Sequence, residues 1–102
     1  MVEKEIEVHK QILEDIAKVV YRKYEFGFEY VFYDKEGRKV AKIDENEADE
    51  VNNIFRNVKE MKIIEPSGVE ALFKNSTTCI VKSFQTFVDS EPTWRRKEII
   101  CQ

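Results

Sequence analysis

The sequence predicts an α+β domain in the order helix, two strands, helix, short helix, two strands, with helices packed on one face of an antiparallel sheet. Three observations lead there. Apolar residues recur every three or four positions across residues 3–24. Two runs of strand formers flank Asp34-Lys35-Glu36-Gly37. Residues 77–88 and 94–102 match side chain for side chain across a hairpin. A chain of 102 residues buries about 60–65% of its unfolded surface, enough for one core. Residues 1–102 therefore read as a single domain.

Within residues 3–24, Ile6, His9, Leu13, Ile16, Val20 and Tyr24 line one face of the expected helix. Ile12 and Val19 widen that stripe, and Glu and Lys fill the opposite side. The segment Phe26-Gly27-Phe28-Glu29-Tyr30-Val31-Phe32-Tyr33 is rich in aromatic strand formers. Asp34 first and Gly37 last suit a type I turn closed by a left-handed glycine. Pairing Asp34 with Arg38 sets Phe32 opposite Val40 and Tyr30 opposite Lys42. Phe26, Phe28, Tyr30 and Phe32 then share one face, which the first helix is expected to cover.

Asp44 and Glu47 have the spacing of a capping box for the second helix, whose apolar face is Ala48, Val51, Ile54, Phe55 and Val58. Acids crowd its first turns and bases its last ones, as the helix dipole favours. Ser67 and Glu70 similarly suggest a short helix to about Phe73 or Lys74. Thr77 to Val88 fits either a strand or a helix by periodicity. The hairpin arrangement decides for strands: Ile80 faces Ile100, Val81 faces Ile99, Lys82 faces Glu98, Thr86 meets Trp94 and Cys79 meets Cys101. A slip of one residue loses the charge match and the cysteine match together.

Composition narrows function. The net charge is −3, with −5 on residues 1–50 and +2 on residues 51–102. That balance lacks the general basic footprint of a nucleic-acid binder, while leaving room for a local patch. Trp94, Arg95, Arg96 and Lys97 are the densest basic and aromatic segment, suited to gripping a phosphate backbone and stacking a base. Lys35, Arg38 and Lys39, at the first hairpin tip, extend it if the fold brings them near. On a strand Arg95 and Lys97 point one way and Trp94 with Arg96 the other, which splits the patch. Five acids between Asp44 and Glu50 read as a solvated helix start.

Two cysteines and one histidine offer no zinc pattern, and no catalytic or cofactor motif appears. His9 has no partner in sequence to make it a general base. Cys79 and Cys101, if opposed on strands, permit a disulfide. The charged N-terminus lacks the apolar core of a signal peptide, so the expectation is a cytoplasmic chain with reduced thiols. No window is long and apolar enough for a membrane helix.

The expected function is that of a small non-enzymatic interaction protein without cofactor or metal. It associates with itself, as a homodimer, or with a protein partner. Aromatic residues beyond the needs of a small core support that expectation. Stand-alone domains of this size also occur as accessory proteins of viruses and mobile elements. A nucleic-acid-binding module built on Trp94, Arg95, Arg96 and Lys97 is the alternative.

Overall fold

The computed structural model describes residues 1–45, 52–55 and 58–102. Its elements are strands: β1 (Glu3–Tyr24), β2 (Gly27–Asp34), β3 (Lys39–Glu45), β4 (Asn52–Phe55), β5 (Val58–Ile64), β6 (Gly68–Val88) and β7 (Glu91–Cys101). Among the described residues there is no helix, which corrects the α+β expectation to an all-β fold. The strand order is β3-β2-β1-β6-β7-β4, with β5 also paired to β6. All pairings are antiparallel except that of β4 with β7.

Two long strands carry this arrangement. The C-terminal half of β1 pairs with β2 and with Gly68–Thr77 of β6, and its N-terminal half pairs with Cys79–Val88. On its other side, β6 meets β5 in its first half and β7 in its second. At about 3.3 Å per residue a straight 22-residue strand spans about 70 Å. The whole molecule measures 47 Å along its longest axis, so β1 must bend. It does so at register breaks between Leu13 and Ile16 and between Ile16 and Lys18, where Asp15 has a φ of 57°. Bulges of this kind let one strand turn a corner and serve two sheets.

The core fills the bend. Leu13, Ile16 and Val19 of β1 pack with Phe28, Tyr30 and Phe32 of β2, Ile43 of β3, and Phe73, Cys79 and Val81 of β6. Ile99 and Cys101 of β7 complete the cluster. The face of β2 is therefore covered by other strands rather than by a helix. Phe26 does not join it; it sits in the β1–β2 turn with 77% of its surface exposed.

The same bends explain why β1 resembles a helix in sequence. Strand alternation places inward residues two apart, but each bulge adds a residue and makes the interval three. Leu13, Ile16 and Val19, all buried, thus reproduce a helical spacing on an extended chain. In β6 the inward residues Ala71, Phe73, Thr77, Cys79 and Val81 are all odd-numbered, although its pairing with β1 shifts between Leu72 and Thr77. The short helix expected at 67–74 is instead the start of this strand. Ser67 has a positive φ of 52°, unlike a helix N-cap, and Glu70 reaches across to Lys18 at 3.7 Å. Gly68 is required there: a Cβ atom would lie 2.8 Å from Ile64 Cγ1 and 3.0 Å from the Tyr21 carbonyl oxygen.

The second expected helix is also corrected. Asp44 ends in β3, Ile54 and Phe55 belong to β4, and Val58 opens β5. The remaining positions of that expectation, Glu47, Ala48 and Val51, lie outside the described residues.

Both hairpin readings correspond to strands, with local shifts. Asp34 anchors the first turn: its Oδ1 accepts from the Arg38 and Glu36 amides at 2.9 and 3.0 Å, and its carbonyl accepts from Gly37 N–H at 3.0 Å. These bonds, the Arg38 amide foremost, hold the Asp34 carboxyl below its ordinary range. Gly37 has a φ of 81°, the left-handed geometry that the turn needs. The register then slips at Val40, so Phe32 faces Ala41 and Tyr30 faces Ile43. The slip places Ile43 inward in place of Lys42, the residue expected opposite Tyr30.

In the second hairpin Ile80 faces Ile100, Val81 faces Ile99, Lys82 faces Glu98 and Cys79 faces Cys101, as the sequence pairing anticipates. Those pairings imply a three-residue turn, Asp89-Ser90-Glu91, but Glu91 already belongs to β7 and Asp89 and Ser90 alone form the turn, both with positive φ. A register shift between Gln85 and Phe87 absorbs the difference, and the Thr86–Trp94 pairing falls inside it.

Cys79 and Cys101 form a disulfide, with Cα atoms 4.0 Å apart. Thr78 and Gln102 exchange two backbone hydrogen bonds of 3.0 Å. The neighbouring cysteine pair therefore occupies a non-hydrogen-bonded site, where opposed side chains come closest. The bridge replaces the reduced thiols expected for a cytoplasmic chain, and suits an oxidising compartment or a hyperthermophile interior. Closing a loop of 22 residues contributes about 3 kcal/mol in the chain-entropy model. Reduction, or the C79A/C101A pair, is expected to lower the thermal midpoint by about 10–20 °C. Thiol titration of the denatured, unreduced protein is expected to find none. Two free thiols, with a midpoint indifferent to reductant, would contradict this.

Candidate functional site

Past Val81 and Ile99 the strands β1, β6 and β7 continue beyond the core as a three-stranded extension. Alternation assigns its faces. Val2, Lys4 and Ile6 share the inner face with Gln85, and His9 and Gln11 continue it after a register shift at Val8. Glu3, Glu5, Glu7, Lys10 and Ile12 take the outer face with Lys82, Phe84 and Thr86.

Arg96 organises the outer face. Its Nη2 donates to Glu5 Oε1 at 2.8 Å, its Nε to Glu5 Oε2 at 3.1 Å, and its Nη1 to Glu98 Oε2 at 3.3 Å. The guanidinium lies 4.3 Å from the centre of the Phe84 ring. One cation thus fastens β7 to β1 across the top of β6, in the bidentate geometry that makes arginine–carboxylate pairs strong. The bond to Arg96 holds the Glu5 carboxyl below the ordinary glutamate range, and Glu5 in turn raises Arg96.

Gln85 organises the inner face. Its buried amide donates to the Thr86 and Trp94 carbonyls at 3.0 and 3.1 Å and accepts from Arg95 Nε at 3.0 Å. Those contacts pin the register shift in the second hairpin.

The basic segment is accordingly divided. Arg95 lies exposed on the inner side, Arg96 is half-buried between two carboxylates, Lys97 is half-buried, and Trp94 keeps 43% of its surface exposed. At the first hairpin tip Arg38 is bound to Asp34 at 3.1 Å and Glu36 at 3.5 Å, while Lys35 and Lys39 are exposed. Strands β1 and β6 stand between that tip and β7 in the sheet order. His9 faces Ser83 beside a shallow recess of about 390 Å³ that also touches Lys97 and Arg95. Cys79, joined to Cys101, holds no thiol for His9 to activate. Among the described residues no group of three or more His, Cys, Asp or Glu side chains is placed to hold a metal ion. No described helix is long and apolar enough to cross a membrane.

The feature that the sequence reading missed is the outer edge of β1. The Asp89 amide donates to the Val2 carbonyl at 2.8 Å, and the Val2 amide donates to the Asp89 side chain at 2.8 Å. Residue 2 thus aims its backbone at β6, and Lys4 and Ile6 follow by alternation. Glu3, Glu5 and Glu7 consequently direct their N–H and C=O groups away from the sheet. Strand β2 pairs with β1 only from Ile16 onward. Among the described residues, no strand pairs with the outer edge of Glu3–Leu13. Along it Val2 is 68%, Ile6 39%, Val8 57% and Ile12 56% exposed. The acids at positions 3, 5 and 7, a period of two, are the sequence signal that marks this stretch as extended.

No protein-family model, curated protein or solved structure matches the chain.

Because its folded pKa is lowered, Glu5 stabilises the fold above the ordinary glutamate pKa. That contribution is lost as pH falls through the lowered value. Thermal midpoints measured from about pH 6 down to about pH 2 are expected to fall more steeply for wild type than for Glu5→Gln. Parallel curves would show that the Glu5–Arg96 pair carries no pH-dependent stability.

Proposed function

We propose that this chain is a non-enzymatic association module that docks a protein strand along the outer edge of β1. The observation carrying this reading is that edge itself, unpaired from Glu3 to Leu13 among the described residues and bearing exposed Ile6, Val8 and Ile12. Edges not used for docking are commonly short, because a row of free N–H and C=O groups templates pairing with another chain. Here the open stretch is about twice the length of an average strand. Strand addition would satisfy those groups, while the alternating side chains select the partner.

The nucleic-acid alternative has less support. Arg96, the centre of the basic segment, is neutralised by Glu5 and Glu98, and the tip residue Arg38 by Asp34 and Glu36. Exposed Trp94 and Arg95, with Lys35 and Lys39 at the distant hairpin tip, remain as its basis.

The reading is tested by amide hydrogen exchange on the associated protein, beside a Val8→Lys/Ile12→Lys variant. Protection gained on association within residues 3–12 alone, and association lost in the variant, is the expected result. Protection centred on residues 94–97 would overturn it, as would salt-steep binding to DNA or RNA that Arg95→Ala/Lys97→Ala abolishes. Absence of any association would overturn it equally.

A further inference from the structure

Resting on that reading, we propose that the occupant of the β1 edge is a second copy of this chain, joined about a two-fold axis between Glu7 and Val8. The pairing sets Glu5 opposite Lys10 of the second copy and Ile6 opposite its His9. The two sheets merge into one continuous sheet through paired β1 strands.

Face matching restricts the register. An antiparallel partner must set outer-face residues against outer-face residues, since a strand's face and its hydrogen-bonding direction are coupled. The break at Val8 divides β1 into a stretch where odd residues face outward and one where even residues do. With two identical broken strands, matching holds throughout in only two registers. One sets Glu5 against the second copy's Lys10, the other Glu7 against it. In the second register Glu3 of the incoming strand would stand opposite Glu14, acid against acid at both ends of the pairing. The first register sets Glu3 opposite Ile12 and avoids that repulsion.

Charge agrees with this choice. Along the outer face of β1 the order is Glu3, Glu5, Glu7, then Lys10 and Ile12. Parallel stacking would oppose acid to acid, whereas the two-fold brings an acid to each lysine, twice per dimer. Opposite charges directly across an antiparallel pair stabilise it and like charges destabilise it. Glu5, already held by Arg96 at 2.8 Å, would join two cations of different chains. Val8, 57% exposed, would lie beside its own counterpart at the axis. A two-fold contact of this kind closes on itself and leaves no further edge of β1 to recruit more copies.

Sedimentation equilibrium of the oxidised 102-residue chain between about 10 µM and about 1 mM tests the proposal. A monomer–dimer equilibrium is expected, with Lys10→Glu raising the dissociation constant at least about tenfold by opposing acid to acid at both sites. Lys10 is exposed, so this variant keeps the fold. Register is tested separately by oxidative cross-linking. Ile6→Cys/His9→Cys is expected to form intermolecular disulfides, and Ile6→Cys/Gln11→Cys, which reports the other register, is not. A monomer at every concentration, a dimer indifferent to Lys10→Glu, or preferential cross-linking of the second pair would overturn the proposal. If the chain stays monomeric while another protein protects residues 3–12 from exchange, the docking edge stands and only the second copy falls.

Discussion

Everything in this fold hangs on the pairing of β1 with β6. The two strands run antiparallel for nearly their full lengths, and each other strand except β3 and β4 is hydrogen-bonded directly to one of them. Their shared bend brings the aromatic face of β2 over the disulfide that joins β6 to β7. It holds Phe32, Ile16, Cys79, Ile99 and Cys101 at 0% exposure in one cluster. A domain of this size has little apolar area to spare. The bridge at Cys79–Cys101 ties the last strand to the middle of β6. Losing the register at this seam would scatter the core and break the Arg96–Glu5 tie together.

Much of this was legible in the residues, and the failures share one cause. The second hairpin could be read because its cross-strand matches are chemical: isoleucine against isoleucine, Lys82 against Glu98, cysteine against cysteine. The first turn was legible from Asp34 and Gly37, whose side chain and backbone do there what their chemistry requires. The helix expected at residues 3–24 failed because β1 breaks phase at Asp15 and again before Lys18, turning a period of two into a period of three. The one-residue slips at Val40 and at Thr86 arise in the same way. A bulge leaves no reliable mark in sequence, since it is selected by the curvature that the distant strand needs. The capping patterns at Asp44 and Ser67 misled for a related reason: Asp and Ser stabilise turns as readily as helix starts.

The same misreading hid the candidate site. As a helix, residues 3–13 present Ile6 and Ile12 to a core. As a strand, they present a backbone edge whose far side is open and whose charges alternate with apolar side chains. The basic segment at 94–97, prominent in sequence, proves to serve the sheet in part, since Arg96 fastens β7 to β1 and Arg95 braces Gln85. The prominent motif became scaffold, and the scaffold supplied the edge.

The central claim is that residues 3–13 are an extended strand bonded to β6 on one side and open on the other. Residue-resolved amide exchange on the dilute, oxidised chain tests it most directly. Slow exchange at Lys4, Ile6, His9 and Gln11, with fast exchange at Glu3, Glu5, Glu7 and Lys10, is the predicted pattern, its phase reversing at Val8. Uniform protection along the segment, or the carbon shifts of a helix, would contradict it.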